Sequence, residues 1–196
     1  WSGLAGDTLW AGLRLGLLGL CAMIAILGGR VMPAFTRNAM TRAGHTGRLP
    51  VSRPPLDVAG IASAIALPLA YLLALPDPAT GGLAVLAGLA ALARLSGWRG
   101  GRTLGQPILR SLHLGYLMLG FGYLALGLAQ FGIGSEVAAI HLLGIGAAGG
   151  MSLAVMSRAS LGHTGRALVA PGPVAAAYAL VPLAAVVRAA GSVWPD

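Results

Sequence analysis

Six apolar stretches divide the sequence, and each is close to the roughly 20 residues that one helix needs to cross a bilayer. Runs of charge, Pro or Gly separate them, which gives predicted spans at 9–29, 57–75, 81–97, 107–130, 136–156 and 174–191. Only 9% of the residues are charged and 57% are hydrophobic, whereas roughly a quarter are charged in a soluble domain. The expected fold is all-α: a polytopic membrane protein with about six transmembrane helices in an up-down bundle.

All 13 basic residues are arginine, and most of them lie in or beside the first, third and fifth connections. The turns at 76–80 and 131–135 carry none. The positive-inside rule therefore predicts cytoplasmic Arg-rich loops and both chain ends on the opposite side. The first connection is expected to begin at Arg30, and Arg94 is expected to snorkel from its span to the headgroups. The net charge of +8 arises from arginines in the loops on one side of the membrane, and it therefore indicates the orientation of the chain in the membrane. The expected partner is a lipid bilayer and not nucleic acid.

The whole chain, 1–196, is expected to form a single six-span transmembrane domain. Its start at Trp1 shows neither an initiator Met nor a signal peptide, which predicts a fragment of a longer protein. One five-residue sequence, Gly-His-Thr-Gly-Arg, occurs at 44–48 and again at 162–166, each time after an apolar helix. We interpret it as a repeated local device rather than as proof of a structural repeat.

Few residues offer catalytic chemistry. No Asp or Glu lies in the middle of a predicted span, and the sequence contains no Lys, no His-Glu-x-x-His and no Ser, His and Asp set. This pattern disfavours a proton-coupled pump, a hydrolase and a nucleotide-driven machine. Catalytic residues stay unknown and enzymatic activity stays an open question. The single Cys21 is expected to be a lipid-facing or packed small residue.

Two of the four histidines lie inside predicted spans, where an imidazole needs a hydrogen-bond partner or a metal. His113, Tyr116, Gly120, Tyr123 and Gly127 follow helical spacing and share one face. Such a face suits a large flat cofactor, with the imidazole on its iron, small residues beneath the ring and aromatics packed against it. The alternative is a histidine hydrogen-bonded to a neighbouring helix, with glycines that allow close helix packing.

His141 lies in the fifth span, where Gly146 and Gly150 predict tight packing against two neighbouring helices. Because successive spans run antiparallel, His113 is expected near the cytoplasmic leaflet and His141 near the opposite one. The two are therefore not expected to bind the same iron. A structural, hydrogen-bonded histidine is the open alternative here as well.

His45 and His163 belong to the two Gly-His-Thr-Gly-Arg turns. Such a turn can present backbone N–H groups as an anion-binding nest, with Arg48 or Arg166 beside it. The alternative is that the arginines mark topology and the histidines cap helix C-termini. The methionines on the same side are soft enough for Cu(I), although packing is their commoner role; they are Met32, Met40, Met151 and Met156.

The run at 141–166, HLLGIGAAGGMSLAVMSRASLGHTGR, resembles the signature of the NnrS family. GRVMPAFT at 29–36 and LHLGY at 112–116 are similar to this family too. NnrS proteins are polytopic bacterial membrane proteins described as containing haem and copper and linked to denitrification and nitric oxide stress. They have about twelve spans, so this chain resembles the C-terminal half, and the N-terminal half is an expected partner.

The resemblance implies haem b and copper in a bacterial inner membrane, with nitric oxide or a related small molecule as ligand. From position and chemistry, the expected cofactor-binding residues are His113, His141, Tyr116, Arg30, Arg158 and Arg166. The arginines in this set would neutralise haem propionates. The expected metal ligands are His113, His141, His45 and His163, the last two for copper together with the methionines.

A second hypothesis comes from a different class: a cofactor-free carrier or scaffold that binds an anion or a lipid at the His-Thr-Gly-Arg turns. Helices broken at Pro68 and Pro182 would support it. Colour separates the two hypotheses, because a haem protein shows a Soret band and a carrier does not.

Overall fold

Six long helices form the computed structural model, which describes residues 2–193, with side chains from Thr8 onward. The helices are α1 (Ser2–Arg42), α2 (Pro54–Leu72), α3 (Asp77–Ser96), α4 (Pro107–Gln130), α5 (Glu136–His163) and α6 (Gly172–Gly191). A short 3-10 turn, Gly100–Thr103, lies between α3 and α4. The described residues contain no strand, and all six helices are long and apolar enough to cross a membrane. The predicted all-α, six-span architecture is confirmed.

The central helix of the bundle is α4, which packs against α1, α3, α5 and α6. Its closest crossing is with α3, where Gly88 faces Gly120 and Gly81 faces Gly127. A methyl group added at Gly88 or at Gly127 would lie 2.8 Å from a carbonyl oxygen of the opposite helix. Glycine is therefore required for the two backbones to come this close. Paired residue numbers rise on α3 as they fall on α4, so these helices are antiparallel.

Two helices extend well beyond their predicted limits. α1 continues through Arg30 and Pro33 to Arg42, and α5 continues through Arg158 to its last residue. The prediction ended both spans near the first arginine and was wrong, because arginine is a good helix former and water or headgroups can solvate it. With 41 residues, α1 is roughly 60 Å long, about twice the hydrocarbon thickness.

The other four spans lie within a few residues of their predicted limits. Neither Pro68 nor Pro182 breaks its helix, since α2 and α6 run on through them. The lone Cys21 is fully buried, so it is a packed and not a lipid-facing residue. We call the end of the bundle at which α1, α3 and α5 finish the Arg-rich end.

The middle of α5 changes its winding. The segment Leu142–Gly149 is π-helical, and the N–H of Gly150 donates to Ile145 O, five residues back. Gly146 fits against Met118 of α4 and Ala185 of α6, which agrees with the predicted packing against two neighbours. Long π segments are rare and often lie at functional sites. This one begins directly after His141.

Candidate functional site

A buried ion pair joins four helices near the Arg-rich end. Arg94 of α3 is 4% exposed, and its Nε donates to Oδ1 of Asp57, in the first turn of α2, at 2.7 Å. Its Nη1 donates to the Tyr116 hydroxyl of α4 at 2.7 Å and to Ala25 O of α1 at 2.9 Å. The expectation that Arg94 snorkels to the headgroups is wrong, because these partners offset the loss of water inside the bundle.

Glycine and two aromatic rings shape the surroundings of this guanidinium. The rings of Trp98 and Tyr116 lie 4.7 Å apart, and the guanidinium carbon is 5.7 and 5.9 Å from their centroids. A methyl group at Gly29 would overlap the guanidinium. Within the described part of the chain Nη2 has no hydrogen-bond partner; it lies against Gly29 at the wall of a cavity of about 750 Å³.

His113 is buried on α4 with both ring nitrogens facing polar groups. Its Nδ1 donates to Leu109 O, one turn back, at 2.9 Å, so Nε2 carries the lone pair. Nε2 lies 3.5 Å from Oγ1 of Thr36 on α1, and that hydroxyl donates to Met32 O at 2.9 Å. A methyl group at Gly100 would lie 2.8 Å from the ring, so this glycine closes the open side of the imidazole.

The face of α4 that carries His113 is covered by protein. Tyr116 is bonded to Arg94, and Gly120 and Gly127 admit the backbone of α3. The glycines were predicted to let a ring approach, but the structure uses them for the alternative, close helix packing. Along this face the described bundle leaves no slot for a flat cofactor.

His141 is half-buried at the end of the bundle opposite the Arg-rich end. Its Nδ1 lies 3.2 Å from Oγ of Ser192, the residue that follows α6. The Ser192 hydroxyl also lies within hydrogen-bond distance of Arg188 O, at 2.8 Å. When the hydroxyl donates to that carbonyl it accepts from Nδ1, and this tautomer leaves the lone pair on Nε2. Neutral imidazole with one nitrogen held and the other free is the form in which histidine binds a metal.

All three arginines predicted for propionates lie at the Arg-rich end. Arg30 is exposed on α1, Arg158 lies over the Phe35 ring at 3.7 Å and Arg166 is exposed beyond α5. Arg158 is roughly 25 Å along α5 from His141. The structure therefore does not bring these arginines together with His141, whose end of the bundle carries the Arg14 to Glu136 ion pair instead.

The two Gly-His-Thr-Gly-Arg sequences end their helices in different registers. Gly44, with φ +70°, is the first glycine of its copy, whereas Gly165, with φ +66°, is the second. The N–H groups of His45 and Arg166 then donate to helix carbonyls five residues back. At least one backbone N–H group of each turn that was predicted to form an anion nest is thus occupied as a helix cap.

The histidines of these turns have different surroundings. His45 lines a cavity of about 350 Å³ together with Met40, Arg102 and Gln106. His163 is exposed as the last residue of α5. No three or more His, Cys, Asp or Glu side chains come together within residues 8–193 as a metal-binding group.

Four methionines line a groove of about 360 Å³ between α1 and α5, which we call the Met groove. Met32 and Met151 are buried, and Met23 and Met156 are largely exposed. The sequence pattern indicated three of them and missed Met23, which lies about two and a half turns before Met32 on α1. Thioether sulfurs in such a cluster suit Cu(I).

The family comparison bears on all of these residues at once. A model described as NnrS protein matches residues 1–196. The chain belongs to the NnrS family. No curated protein and no solved structure matches it. The NnrS resemblance first noted in the run at 141–166 is therefore confirmed, and that run contains both His141 and the π segment.

For an NnrS-family chain, haem and copper are the groups to test against the donors present. The imidazole of His141 fits an iron ligand, because Ser192 holds its Nδ1 and its Nε2 is open. The Met groove fits Cu(I) by the softness of its sulfurs. A ring against the α4 face does not fit, since α3 and Arg94 already cover it.

Sequence reasoning missed the Arg94 site in this NnrS-family chain. The sequence placed Arg94 at a span end and no acid in the middle of a span, which is correct for Arg94 and for Asp57 taken alone. The sequence feature that could have predicted the pair is an acid in the first turn of α2 and an arginine in the last turn of α3. Because these two helices pack antiparallel, the two residues lie at the same height in the bundle. Gly29 of α1 lies at the same height and contacts the Arg94 guanidinium.

Proposed function

We propose that this NnrS-family membrane protein binds a haem at His141 and takes part in handling nitric oxide. The observation that supports the proposal is the contact between His141 Nδ1 and the Ser192 hydroxyl, which holds the half-buried imidazole and leaves Nε2 without a partner among the described residues. Haem iron, when bound, supplies a coordination site for a small ligand such as nitric oxide. Protection of other metal centres, sensing and slow redox turnover are all compatible with this role.

Residues of this chain orient the imidazole of His141. Ser192 holds the imidazole plane from the C-terminal end of α6, and Arg188 O in turn holds the serine hydroxyl. The π segment that follows His141 changes the number of residues per turn in α5. His141 and the glycines within this segment therefore face different neighbouring helices. We propose a bacterial inner membrane as the location, with the Arg-rich end in the cytoplasm.

His113 stays the second proposed ligand, but with a weaker geometric case. Its Nε2 carries a lone pair as in His141, yet Thr36 and Gly100 cover it. For copper, we propose the Met groove in place of the sites near His45 and His163. Its buried sulfurs, those of Met32 and Met151, lie on facing helices.

The decisive experiment is spectroscopy on the purified chain, expressed with a supply of haem. We expect a Soret band, a reduced-minus-oxidised difference spectrum, and a band shift when nitric oxide is added to the reduced protein. His141→Ala is expected to lose the bound haem. His163→Ala is the matched control, because it removes an exposed histidine from the same helix.

Full haem retention in His141→Ala would remove this residue as ligand, and loss in His113→Ala alone would move the site to α4. A colourless wild-type protein would contradict the haem proposal and favour the carrier hypothesis.

A further inference from the structure

We propose that the cavity beside Arg94 binds an anionic phospholipid, whose phosphate is held by Arg94 and Arg30. The cavity, about 750 Å³, lies between α1 and α2 at the Arg-rich end. Its polar end is formed by Arg30, Ser52, Asp57 and Arg94, and its apolar end by side chains of α2. The proposal does not depend on haem at His141, which lies at the other end of the bundle.

The first argument is the unused donor of Arg94. Nε and Nη1 are both bonded within the bundle, whereas Nη2 has no partner among the described residues. The side chain is 4% exposed and cannot turn outward to water while it holds Asp57 and Tyr116. Nη2 is reached from the cavity, so an acceptor placed there, such as a phosphate oxygen, can take up this donor.

The second argument is charge. Two arginines and one aspartate line the cavity, which leaves one positive charge there. Asp57 is paired with Arg94 at 2.7 Å, and among residues 8–193 no ion pair to Arg30 is present. A phosphate diester carries one negative charge and would balance the site. Arginine also binds phosphate oxygens in a bidentate manner.

The third argument is the shape of the cavity along the membrane normal. It extends from Ser52 and Pro54, at the start of α2, to Ile65. On a helix this is about 17 Å, which matches a headgroup at the interface and the upper part of an acyl chain. Val58 and Ile65 are exposed on this side of α2, which is the pattern expected of a helix face in contact with lipid.

Free inorganic phosphate is also an anion with phosphate oxygens, but it makes no contact with an apolar wall such as that formed by Val58, Ile61 and Ile65. A lipid uses both ends of the cavity, with the phosphate on the arginines and a chain along α2. Juxtamembrane arginines attract anionic lipids in general; here one of them is buried and fixed, which makes the site specific.

The test is native mass spectrometry of the whole chain in detergent, titrated with dioleoylphosphatidylglycerol or dioleoylphosphatidylcholine. Both lipids have the same chains and differ in charge. We expect phosphatidylglycerol to bind about tenfold more tightly. A large excess of inorganic phosphate is expected to leave it bound.

Variants locate the binding. Arg30→Gln is expected to weaken phosphatidylglycerol binding about tenfold, and Ala62→Phe, which fills the apolar end, is expected to weaken it as well. Arg42→Gln, on the same helix outside the cavity, and Ala179→Phe, on the exposed side of α6, are the matched controls. Haem content is expected to stay unchanged in all four, so this proposal and the haem proposal fail separately.

Three outcomes would overturn the assignment. Equal binding of the two lipids would show that charge is not recognised. Equal effects of Arg30→Gln and Arg42→Gln would place the lipid elsewhere. Displacement by inorganic phosphate would make the cavity an anion site without a lipid.

Discussion

Arg94 and Tyr116 are joined by a 2.7 Å hydrogen bond from Nη1 to the phenolic oxygen, at the place where α1 to α4 meet. The tyrosine hydroxyl in turn donates to Ala25 O at 3.4 Å. The Tyr116 hydroxyl therefore serves a buried charge. The bond also explains why an arginine can stay inside an apolar bundle, since water is replaced on two of its three nitrogens.

The ion pair between Arg94 and Asp57 leads to the first prediction. Asp57→Ala is expected to lower the free energy of unfolding by about 3 kcal/mol, because it leaves a buried guanidinium without its counter-charge. The value lies at the low end because the Asp57 side chain is 25% exposed. Denaturation in detergent, followed by circular dichroism, measures the loss.

Arg94→Met combined with Asp57→Ala is the control for this prediction. It removes both charges and is expected to be more stable than Asp57→Ala alone. A double variant as unstable as the sum of the two single variants would show that the charges do not interact.

Gly29 carries the second prediction. Gly29→Ala is expected to destabilise the protein by about 1–3 kcal/mol, because its methyl group would overlap the Arg94 guanidinium. Gly19→Ala, on the same helix, meets nothing within 4 Å and is expected to cost nothing. Thermal unfolding of the two variants side by side checks the difference, and equal midpoints would contradict the close approach.

The fold could be predicted from the sequence because span length and charge placement are local properties. Each apolar run had to be a helix of bilayer length, since exposed backbone cannot stay unpaired in lipid. The predicted ends of α1 and α5 differ from the observed ends for a physical reason. Beyond the hydrocarbon a helix no longer needs apolar residues, so hydropathy cannot show where it stops.

The candidate sites, like the fold, could be predicted from the sequence only in part. His113 and His141 stood out because each is a polar group inside an apolar run. The partners of these histidines, Thr36 and Ser192, are distant in sequence and follow from packing alone. The Arg94 site depends on four helices that meet at one level, which the periodicity of a single helix cannot predict.

The helix crossing at Gly127 gives a third prediction. Gly127→Ala is expected to lower stability by about 1–3 kcal/mol even in protein without haem, because its methyl group would lie 2.8 Å from Gly81 O. Gly82→Ala, with nothing within 4 Å, is the control on the facing helix. If Gly127→Ala changed haem content and left stability intact, the α4 face would be a cofactor surface after all.

Ser192 is the subject of a fourth prediction, which rests on the haem proposal. Ser192→Ala removes the hydroxyl that holds Nδ1 of His141, and loss of such a partner is expected to weaken metal binding by about tenfold to a hundredfold. Haem dissociation rate and reduction potential are the measurements. The fold should survive, because Ser192 follows the end of α6; an unchanged potential would show that the imidazole is not a ligand.

The Met groove carries the last prediction. Met151→Leu and Met32→Leu are each expected to lower Cu(I) affinity roughly tenfold, because each removes one soft sulfur. Leucine keeps the volume and the apolar character, so the fold should be retained. Met118→Leu is the matched control: Met118 is buried on α4 against Gly146, outside the groove. Competition with a coloured Cu(I) chelator gives the affinities.

Equal losses of Cu(I) affinity in all three variants would mean that the copper effect comes from disturbed packing. A loss confined to the Met32 and Met151 variants would assign the metal to the space between α1 and α5.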